Sequence, residues 1–277
     1  MDQEKDNIHP IELIKESFVL WSRYFWSLTG IYLIILPIVL LNIFFSLQKN
    51  SNWLFILMQT VLFFVGLIVI IWVQIALIVT VLNLTKEKVI SIGEVLRETR
   101  IHFWRYLGTT FLISLFLVLF VFLLSMGMGF IYYFLSQNSS LWVNVLVLLA
   151  MTGIFVSFLV FYGIRWSVSN IACVAENLSP LAAIKRSYQL VSKKVNSVIG
   201  VWVLLFCFIF LLGIMQTIFV LRSGGFVRGA VNDILQFLIG MISLQLWIVI
   251  SVKLFTALHS ENNRKLNEQT TEAQEVV

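Results

Sequence analysis

Arg165 comes nearest to chemistry among the residues of this sequence. It closes the uncharged run that starts after Arg105. Glu176 follows eleven positions later, about three helical turns on and therefore on the same face of a continuous helix. An arginine so placed can snorkel to lipid headgroups. It can also pair with Glu176, or take a lipid phosphate between the two prongs of its planar fork. Lys185, Arg186, Lys193 and Lys194 follow, so these four with Arg165 and Glu176 are the candidate lipid or anion contacts. Gln74 and Gln245 form a second set. Each lies in an apolar run, and each is followed six residues later by a hydroxyl and a valine, Thr80-Val81 and Ser251-Val252. Polar groups in hydrocarbon are costly, so each is a functional candidate by default. The two glutamines read either as hydrogen bonds between helices or as the polar lining of a path for a substrate or headgroup.

Other reactive types do not converge. His9, His102 and His259 are far apart, without HExxH, CxxC or a carboxylate cluster nearby. Cys173 and Cys207 each sit in an apolar run and read as buried free thiols. No phosphate loop, GxSxG elbow or glycine fingerprint occurs. Gly127-Met128-Gly129 reads as a close-packing site between helices. No catalytic residue, no metal and no cofactor is expected.

The elements that position these residues follow from composition. Of 277 residues, 60% are hydrophobic and only 12% charged, with a mean hydropathy of +0.95. A soluble chain is roughly half apolar and a quarter charged, so the solvent here must be lipid. The net charge of +5 reflects basic residues at span ends, which suits an anionic membrane face. No basic patch stands free of the apolar runs, so nucleic acid is not an expected partner.

Spans of about 20 apolar residues fall at about 26–47, 53–82, 107–135, 141–167, 197–221 and 231–258. Pro37 is expected to kink the first. A turn at 136–140 divides the third from the fourth, and a glycine-rich loop at 222–229 precedes the sixth. The first apolar run is too long and too late for a cleaved signal peptide. The tail, 259–277, is polar and is expected to be disordered and cytoplasmic. Sixteen of the 19 Lys and Arg fall on one side of this layout, against Lys49, Arg222 and Arg228 on the other. Positive residues stay inside, so both termini are expected in the cytoplasm.

The chain also repeats itself. Shifting 180–200 back by about 170 places Pro180, Ile184, Lys185, Ser187, Leu190, Ser197 and Gly200 on Pro10, Ile14, Lys15, Ser17, Leu20, Ser27 and Gly30. At an offset of about 82, 94–99 falls on 12–17 and Arg105-Tyr106 on Arg23-Tyr24. Three copies, at about 8–84, 90–168 and 179–258, would make one membrane domain over 1–258. Each begins with an amphipathic helix. Its apolar stripe is Ile11, Ile14, Phe18, Trp21 and Phe25 in the first copy, and Leu181, Ile184, Tyr188, Val191 and Val195 in the third. Copy two breaks the stripe at Gly93 and Arg100. Ser179-Pro180 reads as N-cap and first-turn proline, and Ser91 to Glu94 has capping-box spacing.

The run Arg165-Trp166-x-Val168, then Val174-x-Glu176-Asn177-x-Ser179-Pro180-Leu181-x-Ala183-x-Lys185-Arg186-Ser187-x-x-Leu190-Val191, resembles a bacterial multi-span family. That family is the membrane domain of glycerophosphoryl diester phosphodiesterase, with its stand-alone relatives. The layout is similar over most of the chain, and the motif over about 165–200. The resemblance implies a multi-pass protein of the bacterial cytoplasmic membrane. In fused members the phosphodiesterase chemistry belongs to a separate soluble barrel, which this sequence lacks, so no activity carries over.

The expected fold is therefore all-α: an integral membrane six-helix bundle of three parallel repeats, each an interfacial amphipathic helix plus a transmembrane hairpin. The function this suggests is a non-catalytic scaffold or lipid-associated module with a basic cytoplasmic collar. Its partners would be membrane lipids, through anionic headgroups, and a further protein. A transporter or channel component is the alternative. A lipid-processing enzyme ranks last, for want of a convergent acid, base or metal set.

Overall fold

The computed structural model describes residues 9–47, 53–88, 90–136, 141–222 and 227–275. Every regular element among them is helical: α1 (Pro10–Arg23), α2 (Phe25–Tyr32), α3 (Leu36–Leu47), α4 (Trp53–Leu84), α5 (Ile92–Ser136), α6 (Leu141–Trp166), α7 (Ser169–Ala175), α8 (Pro180–Ser192), α9 (Val195–Arg222) and α10 (Val227–Glu275). Most of the expected turn at 136–140, residues 137–140, and most of the expected glycine-rich loop, 223–226, lie outside the described residues, while Ser136 ends α5. In hydrocarbon each N–H and C=O must find its partner within the chain, which favours uninterrupted helices. Among the described residues, five helices are long and apolar enough to cross a membrane, or six if the bent pair Pro10–Arg23 and Phe25–Leu41 is one span. The chain is a membrane protein on that ground.

The first span is the broken one. α1 meets the following helix at 73°, with Tyr24 at the corner. A 3₁₀ turn, Leu33–Ile35, then separates α2 from α3. Pro37 explains its place. It has no N–H to offer the carbonyl four residues back, and its ring crowds that carbonyl, which belongs to Leu33.

Burial is concentrated at one end of the bundle. Val73 to Val81 of α4, α7, the inner face of α8, Val198 to Leu205 of α9 and Leu246 to Leu258 of α10 supply most of the buried apolar residues. Away from this joined end, Phe63, Phe64, Phe122, Phe130 and Phe210 are all exposed. That surface suits a lipid solvent and would not suit water.

The structure departs from the sequence-based layout in four places. The amphipathic start of the second copy runs into its span without a bend, as the 45-residue α5. A turn at Ser167 and the short buried helix α7 follow α6, where one continuous helix was expected. The apolar stripes of α1 and α8 are only partly their buried faces: Ile11 and Leu181 are 74% and 72% exposed, whereas Val191 is buried and Ile14, Trp21, Phe25 and Val195 pack against the core beside the buried Leu13, Ser17, Ala183 and Ser187. Small residues allow close approach to the bundle, and the exposed edge of each stripe is left for lipid. Finally, α10 runs through the tail expected to be disordered as far as Glu275. Residues 259–275 contain no Gly or Pro and are rich in Glu, Asn and Gln, of which Glu and Gln are good helix formers.

Helix ends bear out part of the sequence reading. At the start of α5 the Ser91 backbone N–H donates to Glu94 Oε2 at 3.1 Å, and the Glu94 N–H donates to Ser91 Oγ at 3.3 Å. This is a reciprocal capping box. Ser91→Ala should weaken the first turn of α5 by about 1 kcal/mol, read as roughly fivefold faster amide exchange there. At α8, Pro180 holds the first helical position, but the Ser179 hydroxyl makes no capping bond.

Candidate functional site

The candidate residues gather at the joined end of the bundle, around α8. Arg165 ends α6, and its partner is not Glu176. Its Nη1 donates to the Tyr188 hydroxyl at 2.6 Å, and the guanidinium lies over the rings of Phe161 at 3.8 Å and Tyr188 at 4.7 Å. Such stacking favours a cation on an aromatic face. The Arg165 carbonyl accepts from Ser187 Oγ at 2.7 Å, tying α6 to α8. The shared-face argument for Arg165 and Glu176 fails because the turn at Ser167 interrupts the helix between them.

Glu176 instead sits beyond α7 and holds α8 and α10 together. Arg186 Nε donates to both of its carboxylate oxygens, at 3.0 and 3.1 Å. His259 Nδ1 is 3.0 Å from Glu176 Oε1 and 3.2 Å from Arg186 Nη2. The backbone allows this because Asn177 takes a left-handed conformation, φ 54°, and the Leu178 N–H donates to the Cys173 carbonyl at 3.2 Å. A left-handed residue followed by such a bond ends a helix sharply, and Asn tolerates that conformation better than most residues. Arg105 Nη1 then donates to Asn177 O and Oδ1.

The expected basic collar is largely engaged. Besides Arg186, Lys193 Nζ donates to Asn262 Oδ1 at 3.0 Å, and Lys194 Nζ is 3.2 Å from Glu261 Oε1. The continuation of α10 thus lies along the basic side of α8. Lys185 is exposed. His259, Glu261 and Asn262 escaped the sequence reading because a polar tail was read as irregular. The three-residue spacing of His259 and Asn262 was the available signal.

The two glutamines are both between helices. Gln245 is 1% exposed. Its Oε1 accepts from Trp21 Nε1 at 3.0 Å, and its Nε2 donates to Thr29 Oγ1 at 3.4 Å. It therefore joins α10 to α1 and α2 across the corner at Tyr24. Gln74 Oε1 accepts from the buried Tyr106 hydroxyl at 2.8 Å, joining α4 to α5. Cys173 is buried as expected, while Cys207 is exposed on α9. Comparison with protein-family models, curated proteins and solved structures finds no match to this chain.

Two close approaches complete the site. A β-carbon on Gly108 of α5 would stand 2.9 Å from Pro180 Cγ of α8, and one on Gly200 of α9 would stand 2.9 Å from Pro10 Cγ of α1. Each amphipathic helix thus starts by setting a proline against a glycine of a span. Among the described residues, no group of three or more His, Cys, Asp or Glu is placed to hold a metal ion.

Proposed function

We propose that this chain is a non-catalytic, lipid-associated membrane scaffold built of three parallel repeats, with both termini in the cytoplasm. The observation that carries it is that the polar side chains nominated for chemistry join helices at one end of the bundle. Gln74, Gln245, Glu176 and Arg186 are all engaged in this way. A site that turned over a substrate would leave such groups facing a cavity.

The repeat reading is supported by positions that recur. Leu13, Val95 and Ala183 are buried at the same place in each copy. Four residues on, Ser17, Thr99 and Ser187 are fully buried hydroxyls. The proline–glycine approach occurs twice, each time between one copy's first helix and another copy's first span. At the third such place Ile92 replaces the proline, and a β-carbon on Gly30 would meet nothing within 4 Å. The amphipathic helix of the first copy packs on the last span, so the repeats close into a ring about the membrane normal.

Kinship with the membrane-domain family of glycerophosphoryl diester phosphodiesterase is part of this proposal. Its signature residues supply the joint: Arg165, Glu176, Asn177, Pro180, Arg186 and Ser187 each make one of the contacts above. Arg186, Lys193 and Lys194 are held by Glu176, Asn262 and Glu261, so the proposed anionic-lipid contacts are Lys185, which is exposed, and Arg165, whose Nη1 is bonded to the neutral Tyr188 hydroxyl. Arg165→Gln should lower retention of phosphatidylglycerol by the purified protein about threefold or more, by native mass spectrometry. Unchanged retention would remove Arg165 from the role.

The transporter alternative rests on the same two glutamines, and their bonds to Trp21 and Tyr106 weaken it. Single cysteines at Gln74, Arg165 and Gln245, in a background without Cys173 and Cys207, test the choice. Labelling by impermeant reagents at 165 alone, from the cytoplasmic side, is the expected result. Labelling of 74 and 245 from both sides would establish a pathway and overturn the scaffold reading.

A further inference from the structure

Past its apolar span, α10 carries a polar end that lies on a basic surface. Leu258 is its last buried side chain among the described residues. The helix then continues for about 26 Å, to Glu275. The contacts that tie this end to α8 and the start of α9 are polar. His259 meets Glu176 and Arg186, Asn262 accepts from Lys193, and Glu261 pairs with Lys194. Residues 259–275 hold four glutamates against Arg264 and Lys265. An acidic segment thus covers the basic side chains Arg186, Lys193 and Lys194.

Those side chains stand where a membrane presents its headgroups. Lys193 and Lys194 immediately precede the apolar span that starts at Val195, and basic residues beside a span sit at the level of lipid phosphate. Strap and headgroup therefore compete. The Lys194 and Glu261 side chains are 17% and 16% exposed, so a phosphate reaches Lys194 only once Glu261 has left it. At Lys193 the partner is an uncharged amide, which balances none of the charge of the ammonium. An anionic surface favours each nearby basic residue by about fivefold, so a headgroup is the better partner there. The same surface repels the glutamates of the strap. A segment this short and polar is a marginal helix in water by itself, so it unwinds once it lets go.

We infer that Arg186, Lys193 and Lys194 form a docking surface for anionic lipid headgroups, and that residues 259–275 are a strap that covers it until such a lipid displaces them. The inference rests on the lipid-associated reading above, with this face toward the cytoplasm. It adds a second, switchable set of lipid contacts beside Arg165 and Lys185.

The test is amide exchange of the full chain in nanodiscs of phosphatidylcholine, and of equal parts phosphatidylcholine and phosphatidylglycerol, at one ionic strength. Anionic lipid should quicken exchange across 259–275 about fivefold or more and leave α4 unchanged. Lys193→Gln with Lys194→Gln should release the strap in both compositions and remove the difference, with α4 again reporting the fold. A wild type whose strap ignores lipid charge, or a difference that survives the double variant, overturns the inference. Inorganic phosphate added to the neutral nanodiscs should leave the strap in place. Release by phosphate alone would make a soluble anion the occupant and overturn lipid docking. Native mass spectrometry separates this inference from the reading beneath it. Glu261→Gln with Asn262→Ala loosens the strap and should raise retention of phosphatidylglycerol about threefold. Retention that falls in Arg165→Gln but does not rise in the strap variant overturns the strap and leaves lipid association standing. No phosphatidylglycerol on either the wild type or the strap variant overturns both.

Discussion

Gly200→Val should lower the stability of the bundle by about 2–3 kcal/mol, whereas Gly30→Ala should raise it by about 0.5–1 kcal/mol. The two glycines lie 170 positions apart and align when the sequence is shifted by that amount, so composition and helix propensity alone would treat them alike. At Gly200 a β-carbon comes within 2.9 Å of Pro10 Cγ and 3.3 Å of Pro10 Cβ. A proline ring cannot swing aside as a long side chain would, so α1 must move off α9. That motion would also strain the bond from Trp21 to Gln245, which crosses the same interface. At Gly30 the added methyl meets nothing, and only the entropic advantage of alanine in a helix remains. Reversible unfolding in mixed detergent would measure both. The double variant Gly200→Ala with Pro10→Ala distinguishes a steric joint from a local helix effect, because removing the ring should restore most of what Gly200→Ala alone loses. No restoration would mean that the proline–glycine approach is not what joins α1 to α9.

Gln245→Leu should cost about 1–2 kcal/mol. The lower bound reflects the modest worth of polar contacts between membrane helices, on average roughly 0.6 kcal/mol and at most about 1.7. The upper bound reflects the penalty for leaving a buried donor unsatisfied, about 1–3 kcal/mol. Here Trp21 Nε1 loses its acceptor and Thr29 its donor together. Because both partners flank the corner at Tyr24, the effect should be local. Amide exchange in α1 should quicken about tenfold, with α8 unchanged. Gln245→Glu, which keeps the acceptor for Trp21, should lie between wild type and leucine if measured at low pH. Equal exchange in α1 and α8 would show that Gln245 supports the whole bundle rather than this corner.

Much of the architecture was legible in the sequence. The all-helical membrane fold followed from 60% hydrophobic residues arranged in long uncharged runs, because lipid leaves the backbone no partner except itself. Helix starts at Ile92 and Pro180 were legible from the capping box at Ser91 to Glu94 and from the first-turn proline, signals that act within four residues. The 3₁₀ turn before Pro37 was legible as a kink for the same local reason. Buried Cys173 followed from its apolar surroundings.

The site was less legible, and for one reason. Arg165 and Glu176 were paired by counting turns along a helix that the chain does not continue, and the turn at Ser167 carries no glycine or proline to announce it. The collar at Arg186, Lys193 and Lys194 looked free because its partners His259, Asn262 and Glu261 arrive from 73, 69 and 67 residues away along the sequence. Sequence alone determined which segments leave water and where their helices begin, since those depend on composition and on neighbours a turn away. Tertiary structure alone decided which polar groups meet. Trp21 and Gln245 lie 224 residues apart, and only the packing of α1 against α10 brings the donor to its acceptor.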